Sequence, residues 1–126
     1  MAFYKAGGGL MPILNHARRF LTEQLAAKIN EMAIGSDGTT ATADDGGART
    51  LARVTPTVRV LDDQTILVEG TFGTTYSFDA SDVQEVMVQH RDVATDEFIP
   101  IYRTDIRPIT KNTQNEIRIS LLIEVN

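Results

Sequence analysis

The sequence predicts an α+β fold, in which one long N-terminal helix precedes an antiparallel β-sandwich or open barrel of five to seven strands. Three observations support this class. Apolar residues recur at the helical period between residues 13 and 33, the period switches to two after residue 50, and no helical pattern separates the later apolar segments. A doubly wound parallel sheet needs helices between its strands and is therefore excluded. The chain of 126 residues has the length of a single domain, predicted for residues 12–126.

The helix is predicted for residues 12–34. Pro12 suits the first helical position, and Gly35 lies just past the end, where a left-handed cap is favoured. The apolar stripe of this helix consists of Leu14, Ala17, Leu21, Leu25, Ile29 and Met32. We expect the stripe to dock on the β-domain, so that replacing Leu21 or Leu25 by alanine costs roughly 2–5 kcal/mol.

Residues 50–126 form the predicted β-domain. Alternating apolar residues predict strands that are separated by polar turns at residues 62–64 and 92–97. Proline cannot donate a hydrogen bond to a neighbouring strand, so Pro56 belongs at an edge or a bulge, and Pro100 is expected to break a short strand at residues 98–103.

The last segment of the chain gives the clearest strand pattern. Its residues that face one way are Ile117, Ile119, Leu121, Ile123 and Val125. Leu122 interrupts the polar residues of the opposite face. A strand that is apolar on much of both faces is typical of burial, so we expect a neighbouring subunit to cover part of this second face.

Residues 1–11 are predicted to be a flexible N-terminal arm, because Gly7, Gly8 and Gly9 lose much conformational freedom on ordering. The arm also carries four apolar side chains, those of Phe3, Tyr4, Leu10 and Met11. Such side chains are costly to leave in water. We therefore predict that they form, together with Leu122, an assembly interface.

A long loop is predicted for residues 35–49, which are rich in Gly, Thr, Asp and Ala and show no periodicity. Its carboxylates are Asp37, Asp44 and Asp45. Oxygen ligands in a loop can hold Ca²⁺, but this spacing matches no calcium-binding loop. The favoured interpretation is a solvated acidic loop, and ion binding by these three residues stays an open alternative.

Composition and motifs argue against several classes of function. The net charge of −5 disfavours nucleic-acid binding as the main task, and no apolar run is long enough to cross a membrane. The chain has no cysteine, hence no thiolate metal site, and no phosphate-binding glycine loop. His16 and His90 have no nucleophile and acid at suggestive spacing. We therefore predict a protein that is not an enzyme and needs no cofactor.

The order of short motifs resembles a family of virion structural proteins from tailed bacteriophages. The resemblance is to the N-terminal domain of tail-collar and tail-fibre proteins and to small baseplate or fibre-adaptor subunits. It covers about residues 13–126 and has a helix, an IGTGTT-like loop and a β-domain in that order. The matching segments are Ile34–Thr40, Asp44–Asp45, Leu51–Val54, Glu69–Phe72, Val83–Val86, Tyr102–Arg103, Ile109–Lys111 and Ile117–Val125.

The resemblance implies a structural subunit located in the virion and assembled in the host cytoplasm. Its partners would be other virion structural proteins and further copies of itself, in a trimer or a larger ring, with no nucleic acid and no membrane. The expected role is to join tail, baseplate or collar components or to attach fibres. Two alternatives stay open: a protein that decorates the capsid, and a module that binds a glycan or a receptor.

Overall fold

The computed structural model of the protein describes residues 14–42, 50–78 and 82–125. These ranges contain one helix, α1 (Asn15–Lys28), and seven strands. The strands are β1 (Glu31–Gly35), β2 (Thr50–Val54), β3 (Thr57–Val60), β4 (Thr65–Phe72), β5 (Val83–Asp92), β6 (Glu97–Ile109) and β7 (Ile117–Glu124). The α+β class is confirmed. The predicted arm, residues 1–11, lies outside the described residues.

The strands form two antiparallel sheets that are not closed into a barrel. A four-stranded sheet has the order β2-β1-β5-β6, and a three-stranded sheet has the order β3-β4-β7. The two sheets share one hydrophobic core. Its largest contributors are Met32, Ile34, Val86 and Val88 from the first sheet and Ile66, Val68 and Phe72 from the second. The arrangement is that of a β-sandwich.

Gly70 on β4 marks a point where the two sheets come close together. A Cβ atom at this position would lie 2.6 Å from Sδ of Met32 and 3.3 Å from Cγ2 of Val54. Any larger residue would therefore overlap side chains of the opposite sheet. The glycine permits this close packing at a buried position of β4.

The predicted helix 12–34 is wrong beyond residue 28, and residues 12 and 13 lie outside the described residues. After α1 the chain forms β1, which pairs with β2 on one side and β5 on the other. Ile29 and Met32 fit a helical spacing, but Met32 and Ile34 fit a strand spacing as well. The strand prevails because both side chains enter the core while the backbone gains hydrogen bonds on two sides.

The helix is also rotated from the predicted orientation. It faces the β-domain with Thr22, which is buried, and with Leu25 and Ala26, which are half-buried. Leu14 is 75% exposed and Leu21 46% exposed, so the prediction that Leu21 is a core residue is wrong.

Polar contacts to the turn between β3 and β4 explain this rotation. Thr22 Oγ1 donates a hydrogen bond of 2.8 Å to the carbonyl oxygen of Asp63. Arg19 lies 3.3 Å from a carboxylate oxygen of Asp63, and Arg18 lies 3.4 Å from Oε1 of Gln64. These bonds hold the polar side of α1 against the turn and leave the apolar stripe at the margin of the contact.

Strand β6 is longer than predicted. It runs for 13 residues through Pro100, whereas the sequence suggested a short strand at residues 98–103 broken there. Pro100 is tolerated because β6 is an edge strand and its pairing with β5 shifts at that point, from Val88↔Tyr102 to Gln89↔Pro100. The predicted turn at residues 92–97 is confirmed, with Asp96 at a positive φ of 58°.

The predicted loop 35–49 and β-domain 50–126 need smaller corrections. Gly35 belongs to β1, so the β-domain begins at Glu31. Residues 36–42 have no regular structure, and residues 43–49 lie outside the described residues. The helix and the sheets are therefore joined by only two residues, Ile29 and Asn30.

Candidate assembly surface and its anchor

An apolar groove lies between the second half of α1 and the first half of β6. It has a volume of about 360 Å³ and is lined by Leu25, Lys28, His90, Ile99 and Ile101. Leu25 and Lys28 come from the last turns of α1, while Ile99 and Ile101 come from the strand that forms the edge of the four-stranded sheet. The groove exists because α1 is rotated and leaves this side of the helix uncovered.

The apolar stripe of α1 continues from this groove toward the start of the helix. Leu21 lies one turn before Leu25, and Leu14 lies further along the same side. Ile99, across the groove, is 64% exposed. We call the set Leu14, Leu21, Leu25, Ile99 and Ile101 the α1–β6 surface.

Hydrogen bonds hold the end of α1 beside β5. Nδ1 of His90 lies 2.7 Å from the carbonyl oxygen of Lys28, so this nitrogen carries the proton. Asn30 exchanges two bonds with Arg91: its amide donates to the Arg91 carbonyl (2.8 Å) and its side-chain oxygen accepts from the Arg91 N–H (2.7 Å). The groove is therefore preformed in the isolated chain.

A buried ion pair on the other face of the four-stranded sheet anchors the loop after β1. Nε of Arg103 donates to Oε1 of Glu85 at 2.9 Å, and both side chains are almost fully buried. The same guanidinium donates to the carbonyl oxygens of Asp37 (2.9 Å) and Thr39 (3.1 Å). Glu85 in turn accepts the backbone N–H of Asp37 at 2.6 Å. Two charged side chains thus fix the path of residues 37–39.

This anchor joins three of the segments on which the family resemblance rests. Asp37 and Thr39 belong to the IGTGTT-like loop, Glu85 to the strand with a central glutamate, and Arg103 to the Tyr102–Arg103 pair. Residues far apart in the sequence are in contact because β1, β5 and β6 are neighbours in one sheet. Their residue types are explained by the fold: they satisfy each other's buried polar groups.

A second structural cation was also missed by the sequence reasoning. Lys111 is buried, and its Nζ donates to the carbonyl oxygens of Tyr76 (2.7 Å), Asn112 (2.5 Å) and Asn115 (2.8 Å). It ties the connection between β6 and β7 to the segment after β4. Its position in a polar stretch gave no sign of burial, and only the motif match at Ile109–Lys111 singled it out.

The predicted interface residues fall into two groups. Phe3, Tyr4, Leu10 and Met11 lie outside the described residues. Leu122 lies on β7, opposite Leu67 of β4, and is 63% exposed. No described part of this chain covers it, so the predicted contact with a neighbour stays a prediction. The structure does not bring Leu122 into the α1–β6 surface, since β7 and β6 are in different sheets.

Of the three carboxylates of the predicted acidic loop, the structure describes only that of Asp37. Asp37 contributes to the anchor, and a carboxylate oxygen lies 3.6 Å from Arg103. Asp44 and Asp45 lie outside the described residues. Within residues 14–42, 50–78 and 82–125 no cluster of His, Asp and Glu is arranged to hold a metal ion. The helix in those ranges is too short and too polar to span a membrane.

Two pKa shifts accompany the contacts at the turn between β3 and β4. The backbone N–H of Gln64 donates to Asp62 and lowers the pKa of that carboxyl group. Hydrogen bonds to Glu23 and Asp63 raise the pKa of Arg19. Both shifts favour the charged forms and fit a structural role for this turn beside α1.

Comparisons with protein-family models, with curated proteins and with solved structures found no match to this chain.

Proposed function

We propose that this chain is a non-enzymatic structural subunit of a tailed virus particle, where it joins tail, baseplate or collar components or attaches fibres. The observation that carries the proposal is the α1–β6 surface, an apolar groove continuous with exposed leucines. Contiguous apolar surface on a folded protein is a feature of sites that bind a partner, and here the partner we propose is another protein.

The energetics of this surface favour association. Each large aliphatic side chain that moves from water into an interface contributes roughly 1.5–3 kcal/mol when fully buried. Leu14, Leu21 and Ile99 are all substantially exposed in the single chain. Their burial by a partner would supply much of the free energy needed for a stable contact, because the groove is preformed and loses little conformational freedom on binding.

The family resemblance supplies the virion context of the proposal. The motif residues Asp37, Glu85 and Arg103 form one structural cluster, as expected if the resemblance reflects a shared fold. Repeated copies of the subunit, in a trimer or a larger ring, would place the α1–β6 surface of one copy beside a neighbour. The partners are other virion structural proteins, without nucleic acid or membrane.

Immunogold electron microscopy tests this function. An antibody against the purified chain is applied to virus particles from the strain that carries the gene, with pre-immune serum as the control. We expect label at the neck or the tip of the tail.

Label spread over the head would contradict a tail location and support a protein that decorates the capsid. Particles without label, when the antibody is shown to bind the chain in disrupted particles of the same preparation, would place the epitope inside the particle. If the disrupted particles contain no chain at all, the virion proposal is wrong, and binding of a glycan or receptor becomes the leading function.

A further inference from the structure

Strand β7 presents an unusually regular free edge. It has eight residues, pairs with β4 without a register shift and contains no proline. By contrast, edge strand β6 carries Pro100 and Pro108 and two register shifts, which are features that discourage pairing with another strand. Among the described residues, β7 pairs only with β4. Within residues 14–42, 50–78 and 82–125 its other edge has no partner strand, so the backbone groups there can pair with a further strand.

The sequence of β7 complements itself in the antiparallel direction. Arg118 and Glu124 lie on the same outward face at equal distances from Leu121. If two copies of β7 pair antiparallel with Leu121 at the centre, Arg118 of each copy lies opposite Glu124 of the other. The inward face then sets Ile119 opposite Ile123, so that apolar side chains meet apolar side chains.

We propose that this chain forms a twofold dimer by antiparallel pairing of β7 with β7 of a second copy. The two three-stranded sheets become one continuous six-stranded sheet, β3-β4-β7-β7-β4-β3. The contact is isologous, and every charge pair occurs twice. Leu122, which is exposed in the single chain, lies diagonally across from Leu122 of the second copy, within reach of it.

Other registers satisfy fewer groups. A shift that centres the pairing on Ser120 sets Glu116 opposite Glu124 and leaves Arg118 opposite Leu122. A register in which each residue's partner moves by one position would place the apolar face of one strand on the same side as the polar face of the other. The register centred on Leu121 is the one that pairs both charges and keeps the two apolar faces together.

In the single chain Arg118 and Glu124 already have partners, but replacing these partners costs little free energy. Arg118 forms an ion pair of 2.6 Å with Glu116, and the side chain of Arg118 is 81% exposed. Gln64 donates a bond of 3.0 Å to Glu124, which is also exposed. Exposed ion pairs contribute little to stability, so either contact can be replaced by a pair across the dimer.

One edge pairing of this length is small beside the roughly 1,200–2,000 Å² of a stable interface. We therefore expect a weak dimer in solution that is populated at high protein concentration. In a particle, the twofold contact would join a copy in one trimer or ring to a copy in another, and it would gain strength from multivalency because several such contacts form together.

Sedimentation velocity over a wide range of concentrations tests the dimer and its register. We expect the isolated chain to shift from monomer to dimer. Arg118→Glu alone and Glu124→Arg alone should each raise the Kd roughly tenfold, because each creates two like-charge pairs. The double variant Arg118→Glu with Glu124→Arg restores the pairs in reversed order and should return the Kd toward the original value.

Arg59→Glu is the matched control, since Arg59 is an exposed cation on the same sheet but on the opposite edge strand. It should leave the Kd unchanged. A chain that stays monomeric at all concentrations, or a dimer whose Kd ignores the charge reversal, would overturn the proposal. The test is made on the isolated chain, so its failure would leave the virion function untouched, and the labelling of particles would not decide the dimer.

Discussion

The buried ion pair between Glu85 and Arg103 is a structural contact that the sequence did not reveal. Glu85 and Arg103 lie on the face of β5 and β6 that is not part of the main core, yet both are buried. Burying an ion pair costs several kcal/mol of hydration for each ion, and it is tolerated only when the remaining polar atoms are satisfied. Here the extra donors and acceptors come from the backbone of Asp37 and Thr39.

Replacing Arg103 by alanine should therefore destabilise the chain by about 3–5 kcal/mol, because Glu85 would remain buried without its partner. The measurement is urea unfolding followed by circular dichroism. Arg107→Ala is the control, since Arg107 is an exposed arginine on the same strand and should change stability by less than about 0.5 kcal/mol. Equal, small losses in both variants would show that the ion pair is not buried.

For single residues, the sequence predicts burial correctly where a side chain's direction follows from the alternation of apolar and polar residues along a strand. The inward and outward residues of β4 and β7 alternate as predicted. Arg103, at the end of a predicted strand, and Lys111, in a polar stretch, could not be assigned, because the sequence around a charged residue is the same whether its side chain faces water or buried oxygen atoms of the protein. Only the position of neighbouring strands separates the two cases.

Helix α1 shows how tertiary contacts override a sequence pattern at the level of one element. Its apolar stripe predicts one face for the core, whereas the structure turns Thr22 inward and leaves Leu21 near the surface. The helix has no side-chain hydrogen bond at its N-cap and no acidic residue in its first turn. Without a strong cap, its orientation depends on the bonds to the β3–β4 turn and on packing at Leu25.

Because the helix is rotated, we expect Thr22→Ala to destabilise the chain more than Leu21→Ala, although the apolar stripe predicts the opposite order. Thr22→Ala removes the hydrogen bond that the buried Thr22 hydroxyl donates to the carbonyl oxygen of Asp63, together with the packing of a buried methyl group, which should cost about 1–3 kcal/mol. Leu21→Ala should cost less than about 1 kcal/mol, since its side chain is partly in water already. Thermal unfolding of both variants checks the order. A larger loss for Leu21→Ala would show that the stripe faces the core after all.

Strand β1 was predicted as part of the helix, and the reason also lies at the level of one element. A short apolar run fits both periods, and the choice depends on whether two partner strands are available. β2 and β5 come later in the chain, so their pairing with residues 31–35 cannot be read from the local pattern.

On the scale of the whole molecule, the described residues leave two different surfaces exposed. The α1–β6 surface is an apolar groove beside an edge that discourages strand pairing, and the free edge of β7 belongs to the other sheet. The sequence predicted the class, one helix followed by antiparallel sheets, and it singled out Leu122. It did not predict the groove, because Leu25 and Ile99 are brought together only by the rotation of α1 against β6.

We propose that the α1–β6 surface attaches the chain to its neighbours in a particle. The most direct test compares the incorporation of two charged variants into purified particles by immunoblot, in a strain that lacks the original gene. Ile99→Lys places a charge in the groove, while Val93→Lys places the same charge on an exposed valine of the nearby β5–β6 turn, outside the groove. Both positions are exposed, so both variants should fold with melting temperatures close to that of the original chain. We expect Val93→Lys in the particles and Ile99→Lys in the soluble fraction only, and normal incorporation of Ile99→Lys would contradict the account.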